Sequence, residues 1–337
     1  MSKTRDQGYL ARLQFGELAS IHHPMFDGTH ALFGKFFFHD NNLLLDRPEP
    51  LVSRDGFDRL FSFNDNADVQ QRWGPMRLQF TYAYDPHEDR VVGGSTYVAM
   101  ILPAAIAQES GLDVIYMGAT LFVDTDQRGR GLALTVVDRR EDAVARYAAG
   151  ITGKPAEQIN LLAIHEQNDP RKMTLEEIEA DIEATGTHPC VRMIGSRREG
   201  WRTLDARFHY REIDSPGDEG IDYMSLCVKG RGINPPPVTL PPSVIAHFLT
   251  TYAARRHLGR DPSGDPKLIE QLDSLRRLQV LTPVDDSATL MNLKPLVDAA
   301  LEREAALRRG FNAQADIAPV PYRGNGAHKP NGHAPVL

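Results

Sequence analysis

The sequence predicts an α/β fold, and three of its segments support that prediction. Residues 76–84 alternate apolar and polar side chains, and residues 91–102 form a second apolar run after a short turn, which is the pattern of a β-hairpin. Residues 114–123 form a third strand that leads directly into a glycine-bearing turn at residues 127–131. Residues 132–147 then repeat apolar side chains at helical spacing. Strands and helices therefore alternate along the middle of the chain.

The next segments continue this alternation. Residues 159–164 are an apolar run typical of a strand, and residues 174–184 begin with a capping box and predict a charged helix. Residues 202–213 and 221–229 predict a pair of strands joined by a turn. Before the hairpin, residues 9–21 have a pattern compatible with a helix. Gly150 follows the helix at residues 132–147 and is expected to end it.

A proline-rich segment divides the chain into two predicted domains. Residues 1–233 hold the predicted sheet, and the run Asn234-Pro235-Pro236-Pro237, with Pro241-Pro242 after it, predicts a stiff linker. A helical C-terminal extension is expected over residues 234–316, with helices at residues 243–256, 266–278 and 290–309. Residues 317–337 lack a periodic apolar pattern, so they are expected to be a disordered tail.

Composition limits the classes of function. The chain has 337 residues, of which 41% are hydrophobic and 25% charged, as in globular proteins. Its net charge of −7 argues against a nucleic-acid partner, because such proteins present a basic face. No stretch approaches the ~20 apolar residues of a membrane span, and no signal core is visible, so we expect a cytoplasmic protein without a membrane partner. Cys190 and Cys227 form no CxxC pair, and we expect no metal.

The turn after residues 114–123 has the chemistry of a phosphate-binding site. Glycines allow the backbone to approach an anion closely, and the first turn of a helix leaves N–H groups without intrahelical acceptors. The positive end of the helix dipole adds to this attraction, and arginines supply further charge and donors. A generic strand-to-helix turn would also use glycine here. The run lacks the third glycine of a dinucleotide-binding motif and the lysine of a P-loop.

The same run resembles the acyl-coenzyme A contact motif of the GNAT superfamily of N-acetyltransferases. Gln127 begins it, and residues 128–131 supply the Arg-Gly-x-Gly pattern. The order of predicted elements over roughly residues 60–230 is also similar to that family. The resemblance implies a mixed, mostly antiparallel sheet of GNAT type with flanking helices. It further implies that two neighbouring parallel strands, here 114–123 and 159–164, splay apart around the cofactor arm.

The resemblance also implies an activity and a set of binding residues. The implied reaction moves an acyl group, most simply acetyl, from acetyl-CoA or another acyl-CoA to an amine by direct attack in a ternary complex. The acceptor would be a small-molecule or peptide amine. Leu121 and Val123 are expected to pair with the pantetheine, and Asn168 is expected to face the cofactor arm. The residues expected to hold the pyrophosphate are Arg128, Gly129, Arg130, Gly131 and Leu132.

Candidate catalytic residues lie on the two splayed strands. Amine attack needs a base, and Glu166 and His165 follow the second strand where the acyl group is expected to arrive. Tyr116 on the first strand is a weaker candidate. The family commonly uses a tyrosine acid on the next helix, but residues 174–184 contain none, so a late-strand tyrosine, Tyr210 or Tyr223, or an unassisted thiolate takes that role.

Several alternatives stay open from the sequence. The chain could be a non-catalytic acyl-CoA-binding or regulatory module, or an acyltransferase that uses a longer acyl donor on CoA or on a carrier protein. Cys190 beside His188 offers a thiol nucleophile. A homodimer is a further possibility.

Overall fold

The structure is a computed structural model, and it describes residues 5–36, 52–206, 208–209, 221–231, 239–256 and 261–315. The predicted linker at 234–237, the predicted tail at 317–337 and Tyr210 lie outside the described residues.

The N-terminal part contributes one edge strand and four helices. The elements are α1 (Gln7–Arg12), β1 (Gln14–Leu18), α2 (Phe26–Gly34), α3 (Arg54–Phe61) and α4 (Ala67–Trp73). The single helix expected over residues 9–21 is therefore wrong. Its second half is the strand β1, because the backbone turns extended at Leu13 and pairs with the hairpin that follows.

The middle of the chain contains the predicted hairpin and the predicted strand–turn–helix unit. Its elements are β2 (Met76–Asp85), β3 (Arg90–Ile101), α5 (Ala104–Ser110), β4 (Val114–Val123) and α6 (Leu132–Thr152). Gly150 does not end the long helix as expected. The helix continues to Thr152, and Gly153 caps it with φ +74°, a left-handed conformation that glycine adopts without strain.

The second half of the sheet follows. Its elements are β5 (Leu161–Asn168), α7 (Leu175–Thr185), α8 (Pro189–Arg198), β6 (Arg202–Leu204) and β7 (Met224–Arg231). The capping box of α7 is confirmed, with Thr174 and Glu177 exchanging hydrogen bonds. Strand β5 runs beyond the predicted end at residue 164, because β7 pairs with it along its whole length.

The C-terminal region packs against the sheet. It contains α9 (Pro242–Arg256), α10 (Pro266–Arg276), β8 (Pro283–Val284) and α11 (Ser287–Ala315). Strand β8 pairs with β6 and so extends the sheet, and Phe248 of α9 is fully buried in the same apolar cluster as Phe80 of β2. The region predicted as a helical extension thus supplies part of the core.

The sheet has the order β1-β2-β3-β4-β5-β7-β6-β8. All its pairs are antiparallel except β4 with β5, which is parallel. The predicted mixed, mostly antiparallel sheet with flanking helices is confirmed. One face packs on α2, α3 and α9 through an aromatic-rich core, and the other face packs on α6. A right-handed crossover through α6 is the usual route between parallel neighbours.

Candidate active site

The two parallel strands separate in the middle of the sheet. Strand β4 pairs with β5 only from Val114 opposite Leu161 to Met117 opposite Ile164. Beyond these residues β4 stays paired with β3, and β5 stays paired with β7. The strands therefore form a V-shaped cleft that begins at Gly118. The edge of β4 that faces this cleft presents backbone groups that can pair with another extended chain.

A β-bulge accounts for this separation. In the register of β3 with β4, Tyr97 lies opposite Gly118 but Thr96 lies opposite Thr120, so Ala119 is an extra residue on β4. A bulge bends the strand that carries it and increases the local twist. The bend directs the second half of β4 away from β5, as the sequence resemblance implied.

The glycine turn leads from the end of β4 into α6. Gly129 and Gly131 have φ +84° and +83°, which glycine alone adopts at little cost. Gly131 is the N-cap of α6 and provides no side chain to cap it. The first backbone hydrogen bond of the helix runs from Thr135 N–H to the Gly131 carbonyl. Within the described residues, the N–H groups of residues 129–134 have no acceptor, so these donors are available to an anion.

A cavity of about 300 Å³ opens beside this turn. Leu121 and Val123 of β4 line one side, and the turn with the first helical turns of α6, as far as Val137, lines the other. Glu199, which follows α8, closes a further side. The cavity thus lies between the donor-rich turn and the second half of β4, the half that has separated from β5. The predicted residues Leu121, Val123, Arg128, Gly129, Gly131 and Leu132 all contribute to its lining.

Ion pairs beneath the turn hold it in place. Asp124 caps the 3-10 turn at Thr125–Gln127 by accepting from the Thr125 N–H, at 3.0 Å. Arg90 donates to both Asp124 and Asp126. Burial raises the pKa of Asp124, but hydrogen bonding and the cations Lys35 and Arg90 outweigh it, so the net pKa is below the usual value. A turn anchored by charges that persist at neutral pH is preorganised for its ligand.

The two arginines of the motif have different surroundings. Arg128 is exposed at the cavity, with its guanidinium 5.4 Å from the centre of the Phe36 ring. Arg130 lies over the Tyr9 ring at 4.6 Å, and its carbonyl accepts from Asp6 N–H at 3.1 Å. The side chain of Arg130 therefore packs on α1 and not on the cavity. Arg128 is the arginine placed to meet a phosphate.

Asn168 ends β5 away from the cavity lining. Its Nδ2 donates to Asp181 Oδ1 of α7 at 2.9 Å, and Arg192 of α8 donates to the other oxygen of that carboxylate at 2.6 Å. The structure therefore places Asn168 in a bridge between β5 and the two helices that follow it. Its role toward a cofactor arm stays a prediction.

Tyr116 is fully buried between β4 and α6. Its hydroxyl donates to Glu141 Oε1 at 2.9 Å, and burial raises the pKa of the phenol well above its usual value. A phenol held to a carboxylate at high pKa is a poor proton donor at neutral pH. Glu141 is itself buried, at 7% exposed, where its carboxylate accepts this hydrogen bond.

His165 lies just beyond the point where the strands separate. Its ring stacks on Trp201, with centroids 4.0 Å apart, and its Nε2 is buried without a hydrogen-bond partner among the described residues. Burial, together with the nearby cations Arg197 and Arg140, lowers the pKa of His165 to about 3. The imidazole is therefore neutral at neutral pH and is a weak base.

The remaining candidates are Glu166, Cys190 and Tyr223. Glu166 is half-buried on β5, next to His165 and opposite Leu226 of β7, and alternation places its side chain on the other face. Cys190 is fully buried, and burial raises the pKa of its thiol, which opposes a nucleophilic role. Burial likewise raises the pKa of the Tyr223 phenol, just before β7.

One residue at the cleft was missed from the sequence. Arg140 of α6 is 5% exposed, and its guanidinium packs directly on Gly118, the first residue of the cleft. Its position could have been recognised, because it lies four residues after Val136 and four before Val144 on the inward stripe of the helix. An arginine on that stripe signals a buried charge.

Comparisons with known proteins concern the fold. No protein-family model and no curated protein matches the chain. Among solved structures, an aminoglycoside 6'-N-acetyltransferase from Enterococcus faecium is 14% identical, with 66% of this chain and 99% of that chain covered and a TM-score of 0.33. A protein of Desulfovibrio desulfuricans assigned to the GNAT family of acetyltransferases is 14% identical, with 64% of this chain and 98% of that chain covered and a TM-score of 0.31. The AtaT toxin, bound to the C-terminus of its antitoxin and acetyl-CoA, is 13% identical, with 64% of this chain and 92% of that chain covered and a TM-score of 0.27.

These similarities are too low to transfer residue roles or substrates to this chain. The mixed, mostly antiparallel sheet and the splayed parallel pair β4 and β5 are those that the GNAT resemblance implied, so the predicted fold type is confirmed by the topology itself. In the described part of the chain, no cluster of three or more His, Cys, Asp or Glu side chains is arranged around a possible metal ion. None of the described helices has the length and apolar character of a membrane span.

Proposed function

We propose that this protein is an N-acyltransferase that takes its acyl group, most simply acetyl, from coenzyme A. The observation that carries the proposal is the continuity of the cavity. It begins at the acceptor-free N–H groups of residues 129–134 and follows β4 past Val123 and Leu121 toward the cleft. A diphosphate fits the first part, and an extended arm that pairs with the free edge of β4 fits the second.

The residues divide the work of binding between them. Backbone N–H groups at Gly129, Gly131 and Leu132 hold the pyrophosphate, and Arg128 adds a cation beside it. Leu121 and Val123 line the path of the pantetheine arm. The thioester then reaches the cleft near Gly118, where an amine acceptor enters between the strands and attacks the carbonyl. Arg130 supports the turn from behind through its contacts with α1.

Proton removal from the amine is assigned to Glu166. The amine has to be neutral to attack, and a carboxylate near the cleft can accept its proton directly or through water. His165 is less suitable, because its lowered pKa makes it a weak base. Asn168 and Tyr116 have positions that orient the walls of the cleft through Asp181 and Glu141.

Substitution of Gly129 tests the binding half of the proposal. A side chain at Gly129 meets no atom within 4 Å, so Gly129→Glu adds a negative charge at the cavity with only the strain of a left-handed backbone. Gly153→Glu is the matched control, since Gly153 has φ +74°, equally open space and lies at the other end of α6. Calorimetry with CoA should show an affinity more than about tenfold lower for Gly129→Glu. Equal affinities for the two variants would refute the site.

Turnover is tested by thiol release from acetyl-CoA with small cationic amines and with peptides. Glu166→Gln should lower kcat and leave CoA affinity unchanged, because the base acts only in the chemical step. Full activity in that variant would remove Glu166 from the mechanism.

A non-catalytic acyl-CoA-binding module is the second candidate. Two of the three predicted catalytic side chains favour this candidate. The Tyr116 hydroxyl is already hydrogen-bonded to Glu141, and the lowered pKa of His165 makes it a weak base. CoA binding without release of thiol on any amine would favour this module. A longer acyl donor, on CoA or on a carrier protein, is distinguished by the same assay with a series of acyl chain lengths.

A further inference from the structure

A buried arginine at the head of the cleft has no counter-ion in the described part of the chain. Arg140 is 5% exposed, and no carboxylate oxygen of the described residues lies within 4.0 Å of its guanidinium. Its Nη1 donates to Ser95 Oγ at 2.9 Å, and its guanidinium lies 5.2 Å from the centre of the Tyr116 ring. Its Nε has no hydrogen-bond partner among the residues that the structure describes. A buried cation without a paired anion is costly, so such a group is normally kept for a purpose.

This cation lies just beyond the inner end of the cavity lining. The lining of the cavity along α6 ends at Val137, and Arg140 lies three residues further on, the next position on the same side of the helix. A side chain at Gly118 would come within 2.6 Å of Arg140 Nη1, so the guanidinium lies directly on β4 where the cleft begins. Leu121 of the cavity lies opposite Ser95, the residue that accepts from Arg140, so both share one face of the sheet.

We propose that Arg140 stabilises the thiolate that leaves when the thioester of coenzyme A is cleaved at the head of the cleft. The proposal rests on the proposed function. Arg140 would take the place of an acid that protonates the leaving thiolate. Tyr116, the phenol at this position, is not available as that acid because its hydroxyl is hydrogen-bonded to Glu141. A fixed cation in a site that excludes water stabilises developing negative charge without giving up a proton.

The reaction step is balanced as follows. The amine nitrogen forms a bond to the thioester carbonyl carbon, and the carbon–sulfur bond breaks with its electron pair passing to sulfur. The proton of the attacking nitrogen goes to the base, directly or through water. Arg140 remains protonated throughout and only pairs with the sulfur anion. Its charge is permanent because a guanidinium does not deprotonate in proteins.

The test measures the bound thiol and does not depend on the acceptor. Ultraviolet absorbance of the thiolate is followed against pH for CoA bound to the full-length protein, with CoA lacking its sulfur atom as the blank. In the parent protein the bound thiol should ionise about one pH unit or more below free CoA. Arg140→Gln should abolish this difference, and Arg140→Lys should keep part of it. Arg139→Gln, the exposed neighbour on the same helix, should behave as the parent.

Rates provide the second readout. Arg140→Gln should lower kcat for thiol release by about a hundredfold, while its affinity for sulfur-free CoA stays that of the parent. A bound thiol that ionises alike in parent and Arg140→Gln would overturn the inference even if the rate fell. If Arg140→Gln does not fold, the parent decides, because a bound thiol that ionises like free CoA overturns the inference as well. Failure of the parent to bind CoA at all refutes the proposed function instead.

Discussion

The contact between Gly118 and Arg140 leads to a prediction about stability that needs no ligand. A Cβ at residue 118 would lie 2.6 Å from Nη1, 2.8 Å from Cζ and 2.9 Å from Nη2 of Arg140. Real Cβ atoms do not approach other atoms this closely, and the guanidinium is buried, so it has little space to withdraw. The backbone of Gly118 is not left-handed, so the clash alone opposes Gly118→Ala.

The magnitude follows from the two environments of the added methyl group. In the parent protein, Gly118→Ala overpacks a buried site and should lower the free energy of unfolding by about 1–3 kcal/mol. With Arg140→Ala the guanidinium is gone and the methyl group enters free space. Alanine in a strand interior is then about 0.5–1 kcal/mol more favourable than glycine. The two substitutions should therefore be coupled by about 2 kcal/mol, each relieving the effect of the other.

Urea unfolding of the parent, both single variants and the double variant measures this coupling directly. Gly195→Ala is a suitable control, since a Cβ there meets no atom within 4 Å and Gly195 lies on α8. Free energies that add within about 0.5 kcal/mol would show that the guanidinium does not pack on Gly118. That result would also remove the geometric basis for a role of Arg140 at the cleft.

Three further predictions concern the turn and two titrating groups. Gly129→Ala and Gly131→Ala should each lower the free energy of unfolding by about 1–2 kcal/mol, because alanine is strained in a left-handed backbone. Gly131→Ala should cost more, because its Cβ lies 2.9 Å from Arg5. Equal losses in urea unfolding would contradict the packing of the N-terminal segment on the turn. His165 should stay neutral down to pH 5 when its ring is followed by NMR. Because folding lowers its pKa from 6.5 to about 3, the free energy of unfolding should fall as the pH drops below about 6.5. His165→Gln should reduce that fall, and an unchanged slope of stability against pH would contradict the lowered pKa. Burial raises the pKa of Asp169, but its hydrogen bonds, chiefly from an arginine, outweigh burial and hold the pKa below 3.8. The stabilisation from this carboxylate is therefore present above about pH 4 and lost in acid. Denaturant midpoints should show that Asp169→Asn is less stable at pH 7 and that its stability changes less between pH 4 and 2.

Local patterns were sufficient to predict the elements around the cofactor turn. The alternation of residues 76–84 and the apolar run at 91–102 specify a hairpin, because side chains of a strand alternate between faces. The glycine turn and the amphipathic helix after it were predicted because their signals, glycine and helical spacing, depend only on neighbouring residues. The resemblance of the glycine turn and its preceding strand to the GNAT motif indicated the cavity residues Leu121, Val123, Gly129 and Gly131.

Long-range pairing decided what local patterns left open. The predicted strand ended at residue 164, but residues 165–168 continue β5 because β7, more than 50 residues later, supplies the hydrogen-bond partners. Residues 14–18 are a strand for the same reason, since β2 lies beside them. Helix α8 was not predicted, although His188 and Pro189 are a capping residue and a first-turn proline that favour a helix start.

The sequence by itself determined the fold type and the glycine turn after β4, since both depend on spacing between near neighbours and on the conformational freedom of glycine. Only the tertiary structure decided the chemistry at the cleft. It paired Tyr116 with Glu141, buried His165 against Trp201 and placed the charge of Arg140 on Gly118. Proton affinity and the strength of a charge depend on burial and on partners distant in the chain, and these exist only once the sheet and α6 have packed together.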